Sequence, residues 1–170
     1  SGNTVTIVGN GSTNITASQA GDVSYNAASD VVQVLVVKES QTITFGTLAS
    51  KTFGDLPFSL GATASSGLTI TYTSSNTSVA TVSGNTVTIV GAGSADITAS
   101  QAGDGTYNAA ADVTETLVVD KDNQTITFGT LATQTFGDSP FSLGATASSG
   151  LTLTYTSSNT SVATVSGNTV

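Results

Sequence analysis

Along most of the chain, apolar residues alternate with threonine and serine, the period-two pattern of strands that bury one face. Between residues 41 and 119 the alternation sets Ile43 and Phe45, Leu68, Ile70 and Tyr72, Val87 and Ile89, Ile97 and Ala99, and Leu117 and Val119 facing inward. Turn-forming clusters separate these runs: Phe53-Gly54-Asp55, Ser65-Ser66-Gly67, Ser75-Asn76, Ser83-Gly84-Asn85, Gly91-Ala92-Gly93 and Ala102-Gly103-Asp104-Gly105. Glycine and asparagine accept the positive φ of tight hairpin turns, so residues 83–85 predict a hairpin between 81–82 and 86–87. The pattern gives about seven or eight short strands at the spacing of a β-sandwich. The fold class expected is all-β.

The pattern also repeats. Residues 1–9 (SGNTVTIVG) recur at 83–91, and SGNTV returns at 166–170, offsets of 82 and then 83 residues. A second anchor, QTITF, stands at 41–45 and again at 124–128. The offset changes where Lys38-Glu39-Ser40 of one copy gives way to Asp120-Lys121-Asp122-Asn123 of the next. An insertion within a paired strand would turn its side chains to the wrong face, whereas a linker absorbs one easily. The joints therefore fall there. Residues 1–37 read as the C-terminal part of one repeat, 38–40 as a linker, 41–119 as a complete repeat, 120–123 as a second linker and 124–170 as the N-terminal part of a further repeat. Differences between copies agree with the assignment of faces. Val32 and Val34 become Thr114 and Thr116, while Leu35 and Val37 stay apolar as Leu117 and Val119.

Composition narrows the function classes. Only 8% of residues are charged, and the three cations, Lys38, Lys51 and Lys121, leave a net charge of -8. A chain without a basic patch cannot neutralise phosphates, so nucleic acid is not an expected partner. No apolar run reaches the roughly 18 residues of a spanning helix, and direct membrane insertion is not expected. Residue 1 falls within a strand pattern, where no signal peptide is expected. With no cysteine, stability must come from cores and neighbour contacts.

The runs at 62–76 (ATASSGLTITYTSSN), 79–93 (VATVSGNTVTIVGAG) and 97–110 (ITASQAGDGTYNAA) together resemble the bacterial immunoglobulin-like repeats of large surface and secreted proteins. The resemblance is to the group related to invasin and intimin stalk domains, and especially to the MBG repeats, and it covers essentially the whole chain. It implies immunoglobulin-like β-sandwich repeats in a tandem rod-like array, at the bacterial cell surface or outside the cell. In function it implies a structural spacer or stalk of an adhesin, holding distal domains away from the cell. Its partners would be neighbouring repeats of the same chain or of identical chains. A second reading is a self-assembling extracellular filament subunit whose half-domains are completed between neighbouring chains. A third, a glycan-binding surface module, would require an aromatic-lined loop present in only some copies, and none is visible.

Candidate chemistry is sparse. Without histidine or cysteine, Ser-His-Asp and Cys-His catalysis and ordinary zinc sites are excluded. Asp96 and Glu115 are replaced by Asn14 and Gln33 in the other copy, which a carboxylate pair in catalysis would not survive. No catalytic or cofactor-binding residue is assigned, and the chain is expected not to be an enzyme. Asp120 and Asp122 are the candidate calcium ligands, since that cation takes clustered oxygen donors and could stiffen a joint. The other shared acids, Asp22/Asp104, Asp30/Asp112 and Asp55/Asp138, adjoin turns and read as backbone caps. Tyr25 and Tyr107 read as buried rings whose hydroxyls tie down a loop, and Phe53, Phe58, Phe136 and Phe141 as core or joint packing.

Overall fold

The computed structural model describes residues 3–170; Ser1 and Gly2, the start of the first repeated word, lie outside the described residues. Among the described residues every regular element is a strand: β1 (Gly11–Ala17), β2 (Val31–Val37), β3 (Ile43–Thr44), β4 (Lys51–Thr52), β5 (Phe58–Ser59), β6 (Thr63–Ala64), β7 (Thr71–Ser74), β8 (Ala80–Ser83), β9 (Thr86–Ile89), β10 (Gly93–Ser100), β11 (Val113–Asp120), β12 (Ile126–Thr127) and β13 (Thr146–Ala147). The chain is all-β. It divides into two compact units, Ser1–Lys121 and Asp122–Val170, so the division lies inside the segment 120–123.

In the first unit, residues 41–120 build a four-stranded sheet in the order β4-β11-β10-β7, a three-stranded sheet β5-β9-β8 and the pair β3-β6. β10 and β11 form the longest ladder here, antiparallel from Gly93↔Val119 to Ala99↔Val113. β10 pairs on its other edge with β7, Ile97 facing Ser74 and Ser100 facing Thr71. β4 joins β11 in parallel through Val119↔Lys51 and Asp120↔Thr52. Several other ladders are only two residues long, shorter than the five or six typical of strands, and the turns between them carry much of the chain.

Alternation decides what is inside. Ala95, Ile97 and Ala99 from β10 and Leu117 and Val119 from β11 meet Ile43, Phe45, Leu60, Val79, Ala80 and Val87 from the opposing strands and turns in one buried cluster, a sandwich-like arrangement. Ile97, Leu117 and Val87 are fully buried, each contributing about 1.5–3 kcal/mol by removal of apolar surface from water. Leu68 and Ile70 lie half-buried along the same side of the chain. Thr114 and Thr116 face outward on β11, as the exchange between copies indicated.

The hairpin of residues 83–86 closes with Gly84 at φ 58°, while among the described residues no non-glycine residue takes a positive φ. Only the glycine of the Gly84-Asn85 pair is therefore in the left-handed region, an arrangement that places the conformational demand on the first central residue.

β1 and β2 form a separate antiparallel ladder from Gly11↔Val37 to Ala17↔Val31, the register of β10 and β11 transposed by 82 residues. Its exposure differs. Every residue of β1 is exposed, and in β2 only Leu35 and Val37 are partly covered.

The second unit repeats the local geometry of residues 41–87. Ile126↔Ala147 and Thr127↔Thr146 reproduce the β3-β6 pairing, and Phe128 meets Tyr155 at 5.8 Å as Phe45 meets Tyr72. Leu143 is its one buried hydrophobic residue among those described.

Candidate functional site

Residues 38–41, which include the expected joint at 38–40, are held by a loop that comes some sixty residues later. That loop, residues 101–110, is set by its own sequence. Gly103 at φ 77° turns the chain so tightly that a Cβ there would lie 2.7 Å from the Asn108 carbonyl carbon, so only glycine fits. The Asp104 carboxylate then accepts the N–H groups of Thr106 at 2.7 Å and Tyr107 at 2.8 Å, and the Asp104 N–H donates to the Tyr107 carbonyl at 3.0 Å. Ala110 closes the base of the loop by donating to the Gln101 carbonyl at 2.9 Å.

The outer edge of this loop receives the joint as if it were a strand. Glu39 makes a parallel bridge to Tyr107: its N–H donates to the Thr106 carbonyl, and its own carbonyl accepts from Asn108, both at 2.8 Å. The Lys38 ammonium donates to the Asp104 carbonyl at 2.6 Å. Gln41 is 6% exposed, and its carboxamide is fully engaged: Nε2 donates to Gln101 Oε1 at 2.8 Å and to the Asn108 carbonyl at 2.7 Å, while Oε1 accepts from Ser66. Asn10 reaches the same joint from the preceding segment, its Nδ2 donating to Glu39 Oε1 at 2.7 Å. Burying so polar a group is tolerated because both ends of the amide are satisfied.

Electrostatics follow the geometry. The Tyr107 and Thr106 N–H groups, in that order, hold the Asp104 carboxyl below its ordinary 3.8; slight burial opposes them and Lys38 adds to them.

The equivalent loop at 19–28 is formed in the same way, with Asp22 accepting from Ser24 and Tyr25 and Ala28 donating to Gln19. The equivalent joint glutamine, Gln124, keeps its contact with Ser149, but among the described residues its Nε2 has no acceptor and its side chain is exposed.

The caps behave alike in both copies. Thr52 donates to Asp55 and Thr135 to Asp138. Asp96 accepts from Thr116 Oγ1 on the outer face of β10, and Glu115 lies opposite Ile97 on β11. Asp120 ends β11, its carbonyl accepting the Phe53 N–H, while Asp122 accepts from Asn123. Among the described residues no group of three or more acidic side chains gathers that could hold a metal ion.

Two readings of aromatic residues need correction. The tyrosine that ties down the chain is Tyr72, whose hydroxyl meets the Ala62 N–H at 2.9 Å, with Tyr155 repeating this at Ala145; Tyr107 works through its backbone, and Tyr25 is largely exposed. The spacing of ten residues between Tyr72 and Ala62, kept in both copies, was the available signal. Phe58 packs against the core beneath the Lys51 ammonium, 4.9 Å from its ring centroid, but Phe53 is 48% exposed and Phe136 wholly so.

Among the described residues no helix is long and apolar enough to cross a membrane. Comparisons with protein-family models, curated proteins and solved structures give no match for this chain.

Proposed function

We propose that the chain is a run of immunoglobulin-like repeats serving as a structural spacer or stalk in a large bacterial cell-surface or secreted adhesin, where it holds distal domains away from the cell. The observation that carries this reading is the locked joint. A flexible tether would leave residues 38–41 free to rotate, whereas here Lys38, Glu39 and Gln41 are all bonded to the 101–108 loop. A short linker fixed in this manner transmits orientation from one repeat to the next, which is the property a shaft requires. The polar outward positions of β10 and β11, among them Ser94, Asp96, Thr114 and Thr116, suit a surface that stays in solvent without sticking.

The test is length against repeat number. Variants carrying one, two, three and four additional copies of the block 41–123 should grow by a constant increment on the order of 40 Å per copy in small-angle scattering, as rigid units of short strands and end loops would. Growth as roughly the square root of copy number, the behaviour of a flexible tether, would remove the spacer reading.

A further inference from the structure

We propose that Asn10-Gly11 is a self-modifying site: the Gly11 backbone nitrogen attacks the Asn10 side-chain carbonyl carbon, and the residue ages to aspartate or isoaspartate at the point where it holds Glu39. This goes beyond the spacer reading and does not rest on it.

The chemistry balances with water as the sole co-reactant. A bond forms between the Gly11 nitrogen and Asn10 Cγ as the bond from Cγ to Nδ2 breaks, and the Gly11 amide proton leaves with Nδ2 as ammonia. Water then opens the cyclic imide. Attack at Cγ gives aspartate, and attack at the main-chain carbonyl carbon gives isoaspartate.

Sequence and local geometry favour the step at this pair. A Cβ on the residue after asparagine hinders the approach of its nitrogen, and Asn10-Gly11 is the one Asn-Gly pair in the chain. Asn10 is exposed in a bend just ahead of β1, and Gly11, at φ 126°, has open space where a Cβ would stand. The end of a ladder is also where it opens most readily. The complete repeat has the same register, Gly93↔Val119 for Gly11↔Val37, and Ala92 in the place of Asn10 is equally exposed. Neither the placement nor the exposure of Asn10 is therefore peculiar to the first copy, whereas the reactive amide is.

Asp104-Gly105 could form the same imide, but its carboxylate is tied to the Thr106 and Tyr107 N–H groups and kept ionised by them, which makes it the poorer electrophile.

The change falls on a contact. Asn10 Nδ2 donates to Glu39 Oε1 at 2.7 Å, and the Glu39 backbone is bonded on both sides to the 101–110 loop. Ageing replaces the donor with a second carboxylate, so attraction becomes repulsion between like charges. Isoaspartate also adds one carbon to the main chain directly ahead of the Gly11↔Val37 pair. The hold on segment 38–41 loosens with time.

The full chain is incubated in mildly alkaline heavy-oxygen water, digested afterwards in ordinary water and mapped by mass spectrometry. Heavy oxygen is expected at residue 10, appearing at least about tenfold faster than at Asn14 or Asn123, which lack a following glycine. A second measurement reads the consequence. Trypsin should cut after Lys38 about threefold faster in Asn10→Asp than in Asn10→Ala, which lacks the donor but adds no charge. Conversion at Asn10 no faster than at Asn14 or Asn123, or equal cutting of the two variants, would overturn the proposal.

Discussion

Asp104 shows how one side chain can fix the shape of a loop. Its carboxyl is held below 3.8 by backbone N–H donors, so the folded form binds a proton less readily than the unfolded one. Its contribution is therefore present above 3.8 and is lost as pH falls through the lower folded-state value. Urea midpoints measured between pH 6 and pH 2.5 should drop less steeply for Asp104→Asn, which keeps an acceptor and loses the charge, than for the unmodified chain. Gly103 sets the same loop sterically. Gly103→Ala should destabilise the first unit by about 1–3 kcal/mol through positive φ and the clash with 107–108, whereas Gly105→Ala, with open space around it, serves as the near-neutral control. Of these details, the turn at 102–105 and the capping role of Asp104 were readable from residue type. The part of Gln41 was not, because its three partners lie 25, 60 and 67 residues away and no local pattern marks them. Choosing Tyr107 rather than Tyr72 as the tethering ring failed for a related reason: Tyr107 follows a Gly-Asp turn whereas Tyr72 ends an alternating run, and only the ten-residue spacing from Ala62, kept in both copies, points to Tyr72.

At the scale of elements, β1 and β10 share the run Ile-Thr-Ala-Ser yet differ completely in burial. Ile97 is fully buried and Ile15 is 41% exposed. Ile97→Ala should cost about 2–5 kcal/mol of stability in urea unfolding of the first unit, while Ile15→Ala should stay within about 0.5 kcal/mol. Equal losses at the two positions would contradict the burial described. Alternation made the inward set of 41–119 legible, since Ile43, Phe45, Val87, Ile97, Ala99, Leu117 and Val119 are all buried. Strand length was not legible. Ladders such as β3-β6 and β5-β9 stop after two residues because glycine-rich turns divert the backbone, although the side chains continue the same pattern.

For the whole molecule, three lysines make a simple probe. Trypsin cuts after lysine, and the Lys38-Glu39 bond lies where Glu39 is hydrogen-bonded on both sides, while Lys121 is exposed at the division between the two units. Limited digestion followed by mass spectrometry should release residues 122–170 first and leave 1–121 intact; early cutting at Lys38 would mean the joint is loose. The order of the chain also governs when the joint can close. Gln41 bonds to residues 60 and 67 positions later, so in a chain emerging from the ribosome its joint stays slack until most of the repeat behind it has been made. The segment 38–41 is thus made early and fixed late, pliable until its distant partners arrive.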